Sequence, residues 1–324
     1  MLYLNENDLA PLVDEWPEAI AVIEQASTCL AKGAFAQPVK PYLRYGDPKN
    51  RIIAMPAFVG GDCNAAGIKW IASFPGNIDR GLARAHSVLI LNDADTGAPT
   101  CIINGALLSV LRTAAVSGYV LSKWLPERSG PLRVGMTGFG PIGRHHVKMV
   151  AKLLGDRLAE MAVYDLRTPS QSDILECAAG RPSRVAKSWQ DAYEGADIFM
   201  TCTVSSDRYI DIPPKPGSLH LNVSLRDYKA DTFPFFEGGI VVDDWDEVAR
   251  ENTDIEHFVK TRALVREKTT SLADLAVKGL PSATAGGRPD GVVMFNPMGM
   301  AVFDVALGAH FLARAKAASF GREL

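Results

Sequence analysis

The sequence predicts an α/β protein: a doubly wound parallel sheet joined to a separate α+β domain. Three observations predict it. From residue 132 to about 242, short apolar runs alternate with helix-period segments, the texture of parallel strands with crossover helices. A glycine-rich turn, Gly138-Phe139-Gly140-Pro141-Ile142-Gly143, lies between the first of those runs and its helix. Ahead of them, residues 51–103 hold strand-like runs linked by turn residues, an antiparallel pattern that suggests a domain of its own.

Each element has its own warrant. Residues 7–32 carry Leu9, Leu12, Val13, Trp16, Ile20, Ile23 and Leu30 at helical spacing, with Gly33 as the stop. Arg51 to Met55, Gly67 to Ala72 and Ser87 to Leu91 read as strands, and the turn at 92–97 leads into Pro99 to Ile103 as a hairpin. Residues 105–125 form a helix with Leu107, Leu108, Leu111, Ala115, Leu121 and Leu125 as its stripe, and Pro126 ends it. A linker follows at 126–131. Leu132 to Thr137 is a strand, followed by a helix to about Leu154 and a second strand, Met161 to Tyr164. A helix near 171–179 and strands near 184–186, 197–203, 218–224 and 239–242 continue the pattern. The stretch from Asn296 to Ala317 is rich in Gly and Ala and ends in an amphipathic helix.

Composition narrows the function classes. Of 324 residues, 47% are hydrophobic and 22% charged, which is globular. Lys plus Arg number 34 and Asp plus Glu 37, a net charge of -3. That near balance argues against a nucleic-acid groove or a polybasic membrane patch. Five scattered cysteines without CxxC spacing argue against a disulfide framework or a structural zinc site and fit a reducing cytoplasm. The first residues lack a basic segment and an apolar core, so no signal peptide is expected. Apolar runs are interrupted before membrane-spanning length. His145-His146 has no metal-ligand spacing, so no metal is expected.

The glycine turn is the specific signal. Gly138, Gly140 and Gly143 match GxGxxG after a strand and at the start of a helix, and Asp165 lies 22 residues beyond Gly143 at the end of the next strand. The first glycine permits the tight turn, the second lets backbone approach a pyrophosphate, and the third lets helix and strand pack closely. The helix N-terminus that begins at Pro141 and Ile142 binds the pyrophosphate. Asp165 would bond the ribose diol and repel a 2′-phosphate, which favours NAD over NADP, with Arg167 a slight counterweight.

Charged residues in apolar settings come next. Lys69 in a strand, Arg44 between tyrosines and Arg112 on a helix each read first as solvated side chains. Asp227, after a strand's carboxyl end, reads equally as a site residue or a turn former. Three cations and one carboxylate are nonetheless what an amino-acid oxidoreductase needs. Cations clamp carboxylates, and a carboxylate takes an amine's proton.

At this point the chain resembles the ornithine cyclodeaminase/mu-crystallin family. The resemblance rests on Gly67-Ile68-Lys69-Trp70, on Leu111-Arg112-Thr113-Ala114-Ala115, on the glycine turn, and on Pro297-Met298-Gly299-Met300-Ala301 with Asp304. It spans nearly the whole chain. It looks closest to the branch of N-(2-amino-2-carboxyethyl)-L-glutamate dehydrogenases, which make L-2,3-diaminopropionate for siderophores and peptide antibiotics. The segments Gln37 to Arg44, Arg51 to Pro56, Ile90 to Asp93, Val241 to Trp245 and Asn296 to Ala301 carry that likeness.

The resemblance implies a substrate and dimerisation domain from residues 1–115 and 300–324, and a Rossmann domain from 116–299. It implies that Arg44, Lys69 and Arg112 hold the substrate carboxylate. It assigns Asp227, with Lys69, to catalysis, and places Met298 beside nicotinamide and substrate. Arg112, Thr113, Thr203, Ser224 and Leu225 would line the NAD along with the glycine turn. Cyclodeaminases carry an acid just before the Met-Pro pair. Ile53-Ala54-Met55-Pro56 stands there in this chain, so a distal ammonium would lack its partner. Asp231 replaces a cofactor-contacting lysine, and Arg84 could hold further substrate carboxylates or be a surface arginine. The implied activity is NAD-dependent oxidative hydrolysis of N-(2-amino-2-carboxyethyl)-L-glutamate by a cytoplasmic homodimer. Other family oxidoreductases (ketimine reductase, alanine dehydrogenase, ornithine cyclodeaminase) and a mu-crystallin-like NAD(P)H-binding protein are the alternatives.

Overall fold

The computed structural model of the chain, described over residues 1–281 and 291–324, divides into two units. One comprises Met1–Thr113 with Gly299–Leu324, and the other Ala114–Met298. The helix Gly105–Trp124 carries the division between Thr113 and Ala114.

The first unit is built on an eight-stranded mixed sheet. Its centre is an antiparallel run of Arg51–Val59, Ala65–Ser73, Ala85–Asp93 and Pro99–Asn104, with Leu2–Leu4 parallel to the last of these. These strands are longer than the apolar runs suggested, because pairing continues through residues that are not themselves apolar. Pro56 sits mid-strand at no cost to pairing. Its strand is flanked on one side by two short strands, Tyr42–Leu43 opposite Ile52 and Ile53, and Phe35–Ala36 opposite Phe58 and Val59. Pro56 falls in the gap between them, where no N–H is needed.

One face of this sheet is covered by the helix Ala301–Ala318, which packs on three central strands and on the helix Trp16–Ala31. Met55, Ala57, Val59, Lys69, Leu89, Leu91, Cys101 and Ile103 point to that buried face. The helix expected over 7–32 is broken in the structure into Glu6–Leu9, a 3-10 turn Ala10–Leu12, and Trp16–Ala31. Pro11 and Pro17 explain the break, since each lies at the first positions of a new helical segment, where its missing N–H is harmless.

The second unit is a parallel sheet of eight strands among the described residues. Its order is Ser183–Val185, Leu158–Tyr164, Leu132–Thr137, Ile198–Thr201, Leu219–Asn222, Val293–Asn296, Ile240–Val242, Thr270–Ser271. Strand order reverses at Leu132–Thr137, so the crevice beyond Thr137 and Thr201 is the place where such sheets take ligands. The central strands are buried throughout, as apolar parallel strands must be. The fold is therefore the α/β, Rossmann-type sheet plus α+β unit that the sequence predicts. The short helices Trp189–Tyr193, Asp254–Arg262 and Leu272–Lys278 had no clear periodic signal. Asp254–Arg262 buries only Asp254, Ile255 and Phe258.

One expectation is corrected. The helical stretch Gly105–Glu127 is long and apolar enough to cross a membrane, despite Arg112 within it, and 67% of its apolar window is buried inside the protein. Burial among other elements explains that apolarity without a bilayer.

Candidate active site

In the second unit, the strand Leu132–Thr137 delivers the chain into the glycine turn, and each glycine has a separate reason. Gly138 has φ +88, and a Cβ there would stand 2.4 Å from the Cys202 carbonyl oxygen. A Cβ at Gly143 would stand 2.1 Å from the Gly138 carbonyl oxygen, so the helix Pro141–Leu154 can close on the turn only without one. Gly140 differs: a Cβ there would meet nothing within 4 Å. Its space is kept clear beside the helix N-terminus, where N–H groups of the first turn have no partner inside the helix. A diphosphate fits that cradle. Pro141 occupies the first turn and Ile142 is 38% exposed at its rim.

Asp165 is brought directly to the turn. Its carboxylate accepts the Phe139 N–H at 2.6 Å and the Arg167 N–H at 2.8 Å. Each oxygen keeps a lone pair for a further donor, as a ribose diol would supply. Two neighbours carried no sequence signal. Arg144 stacks over Phe139, 4.5 Å from the ring centroid, and pairs with Asp173 at 2.8 Å. His146, wholly buried, bonds the Ser117 hydroxyl at 2.9 Å and the Ile142 carbonyl at 2.8 Å. Burial pushes its imidazole down to about 4, so it is neutral at ordinary pH.

Beyond the neighbouring strand ends, three predicted residues form one cluster. Asp227 is fully buried. Its carboxylate accepts the Thr203 hydroxyl at 2.7 Å, the Ser224 hydroxyl, and the Arg226 N–H at 3.3 Å. Thr203 and Ser224, expected along the cofactor, thus spend their hydroxyl protons on Asp227. Leu225 between them is left-handed, with φ +64. The Tyr209 hydroxyl lies between Thr137, at 2.9 Å, and Asp227. Burial, reinforced by Asp227, raises both the Tyr209 phenol and the Cys202 thiol well above their usual values. Met298 donates its N–H to Asp243 at 3.0 Å.

In the first unit, a buried ion cluster replaces the solvated side chains read from the residues alone. Lys69 points inward, opposite Met55 and Leu89, because a strand's side chains alternate and its neighbours Ile68 and Trp70 take the other face. Its Nζ reaches Asp304 Oδ1 at 2.9 Å and the Ser109 hydroxyl at 2.7 Å. Arg112 Nε donates to the same Asp304 oxygen at 3.0 Å. Lys69 is 1% exposed, Arg112 7% and Asp304 0%. A further cation, Lys40, is buried nearby and donates to the Gly299 carbonyl at 2.8 Å. Gly299 has φ +92, and a Cβ on it would stand 3.1 Å from Arg112 Nη1.

The electrostatics are those of an unfinished site. Burial lowers Lys69 to about 8, Asp304 opposes that, and Arg112 and Lys40 add to it. Burial would raise the Asp304 carboxyl, but Arg112 and Lys69 outweigh it and hold it below its ordinary value. Asp304 Oδ2 is buried with no hydrogen-bond partner. Lys69 and Arg112 therefore share one carboxylate oxygen, an arrangement suited to receiving an anion. Thr113 bonds back to the Ser109 carbonyl at 2.8 Å within its helix. Arg44 is exposed, its guanidinium 5.2 Å from the Tyr42 ring centroid. Among the described residues, Glu15, Glu18 and His310 are the one grouping with metal-ligand spacing, and Arg314 already pairs with both acids. Asp304 and Lys40 are the main site residues for which sequence reasoning had named no role. Their only signal lay in the segments Gln37 to Arg44 and Pro297 to Asp304.

A model of the ornithine cyclodeaminase/mu-crystallin family matches residues 12–213. The N-((2S)-2-amino-2-carboxyethyl)-L-glutamate dehydrogenase of Staphylococcus aureus is 31% identical, covering 96% of this chain and 94% of its own. The alanine dehydrogenase of Archaeoglobus fulgidus is 26% identical, covering 94% and 92%. The structure of Thermococcus litoralis Delta(1)-pyrroline-2-carboxylate reductase, in complex with NADH and L-proline, superposes with a TM-score of 0.86 at 23% identity over 100% of both chains.

Proposed function

The chain belongs to the ornithine cyclodeaminase/mu-crystallin family, and from that premise we propose that it is an NAD-dependent amino-acid oxidoreductase acting on N-(2-amino-2-carboxyethyl)-L-glutamate. The observation that carries the reading is the buried pair Lys69 and Arg112, both bonded to one oxygen of Asp304, so that two cations share one carboxylate. Such an excess of buried positive charge is costly unless an anionic ligand completes it. A tricarboxylate substrate supplies one. The Staphylococcus aureus relative's name gives the substrate. Ile53, which offers no carboxylate to a distal ammonium, speaks against ornithine cyclisation.

NAD held at the glycine turn would supply the hydride acceptor. Asp165 selects the ribose diol over a 2′-phosphate. Lys69 and Arg112, with Arg44, fix the glutamate-side carboxylate, which is catalysis by positioning. Loss of hydride from the glutamate Cα leaves a C=N bond. Asp227 takes the secondary amine's proton or orders the water that adds to that bond. Cleavage then gives 2-oxoglutarate and L-2,3-diaminopropionate, a building block for siderophores or peptide antibiotics.

Substrate binding and dimerisation we assign to the first unit, and NAD binding to the second. The face of the eight-stranded sheet opposite the helix Ala301–Ala318 supports a homodimer. Pro56, Phe58, Ile68, Val88 and Ile90 lie there only half-buried, and Trp70 is 42% exposed.

The test is NADH formation at 340 nm with the conjugate, beside L-ornithine, L-alanine and L-glutamate. Absorbance rising with the conjugate alone, with 2-oxoglutarate released, is the expected result. Turnover on a simpler amino acid instead would keep the family and remove the substrate. Silence throughout, with tight NADH binding, would favour a ligand-binding protein.

A further inference from the structure

Asp254 is a buried carboxylate that the proposed reaction does not use. It opens the helix Asp254–Arg262, just after the N-cap Thr253. Its Oδ2 accepts two consecutive backbone N–H groups, from Asp227 at 3.0 Å and Tyr228 at 3.2 Å, and the Asn222 amide at 3.0 Å. Its Oδ1 accepts Arg208 Nε at 2.7 Å. Arg208 is anchored in turn, its Nη2 donating to the Asn252 and Thr253 carbonyls, both at 2.8 Å. The Asp254 N–H donates back to the Leu225 carbonyl at 2.7 Å. The turn from Ser224 to Tyr228 is thus bent around one anion, and left-handed Leu225 is the bend that Asp254 secures.

The chemistry of this anchor calls for a carboxylate. Consecutive N–H groups converging on one atom form an anion-binding nest. A carboxylate is acceptor-only, whereas an amide in its place would turn an N–H toward one of these donors or toward the guanidinium. Arg208 offsets the burial of the charge. We propose that Asp254, held by Arg208, is the positioning residue that aims the Asp227 carboxylate. The inference rests on the reading of Asp227 as the proton-handling group.

The charges facing Asp227 can be named. Thr203, Ser224 and the Arg226 N–H donate to it, and Arg226 carries its guanidinium on the Ser224 and Glu251 carbonyls. Cys202, Tyr209 and Tyr228 lie beside it with protons held on by burial. Asp254, whose carboxyl burial holds above its ordinary value, bonds the Asp227 N–H and is paired with Arg208.

The experiment compares kcat and KM for the wild type, Asp254→Asn, Arg208→Gln, Arg208→Lys and Asp227→Asn, with NAD binding by fluorescence and folding by circular dichroism. In Asp254→Asn, kcat should fall by about 10²-fold, as for a displaced catalytic group, with NAD affinity nearly unchanged. KM for the conjugate should stay within about twofold in Asp254→Asn and Arg208→Gln, and Arg208→Lys should recover most of the kcat lost in Arg208→Gln. An unchanged kcat in the folded variants, or a loss that appears in KM or NAD affinity instead of kcat, would overturn the inference. If Asp254→Asn does not fold, the two Arg208 variants decide it alone: an equal kcat in both sinks it. Asp227→Asn with near-normal turnover would instead sink the reading of Asp227, and this inference with it.

Discussion

A buried lysine between an acid and two cations is a titration device. Lys69 is lowered to about 8 by burial, with Asp304 opposing and Arg112 and Lys40 assisting the shift. Substrate binding should therefore weaken above about pH 8, as the ammonium loses its proton. KM for the conjugate should rise through that range, and Lys69→Arg, which stays charged, should flatten the rise. The same shift has a stability sign. The unfolded chain holds the lysine proton to its ordinary value of 10.5 while the folded chain releases it from about 8. Stability carried by this group is thus reduced below about 8 and recovers between 8 and 10.5. Asp304 is the opposite case. Asp304→Asn leaves Lys69 and Arg112 buried against each other, and should cost about 3–5 kcal/mol by urea denaturation. A loss near zero would show that these cations relax to solvent, and would weaken the case for a preformed anion site.

At the scale of an element, the glycine turn separates folding from binding. Gly143→Ala puts a methyl group 2.1 Å from the Gly138 carbonyl oxygen, so the turn and the helix Pro141–Leu154 must part. Both melting temperature and NAD affinity should fall. Gly140→Ala meets nothing within 4 Å, and should leave the melting temperature unchanged while its methyl occupies the pyrophosphate's space. Calorimetry and NAD titration on the two variants check this. Equal NAD affinity in Gly140→Ala and wild type would displace the pyrophosphate from this cradle. How far the turn was legible follows from its physics. Glycine spacing after an apolar strand is a backbone requirement written in adjacent residues. The Asp254 anchor was not legible, because Arg208 and the stretch holding Asn222 and Asp227 lie 46, 32 and 27 residues from it and none has a diagnostic spacing.

For the whole molecule, the face of the first unit's sheet opposite the helix Ala301–Ala318 makes a prediction about assembly. Trp70 stands on it opposite Ala54 and Val88. Trp70→Asp, if the face joins two copies, should convert a dimer to a monomer in light scattering at micromolar concentration. A wild-type monomer, or a dimer that survives the substitution, removes that interface. An exposed tryptophan changed to aspartate should cost little in a monomer, so lost dimerisation would not be mistaken for unfolding.

What the sequence by itself determined is what local rules encode. Alternating apolar runs specified the parallel sheet, the strand-and-turn pattern specified the antiparallel one, and Gly138, Gly140 and Gly143 specified the tight turn between strand and helix. Only the tertiary structure decided which charges are buried. Lys69 sits in a strand where one more residue of register would have turned it to the opposite face. It is the helix Ala301–Ala318, more than two hundred residues later, that places Asp304 against it and makes a buried ammonium tolerable. Arg112 and Lys40 are drawn in by the same carboxylate and by the turn at Gly299. Ion pairing across such separations leaves no spacing to read, because its energy depends on distance and burial in three dimensions rather than on neighbours along the chain.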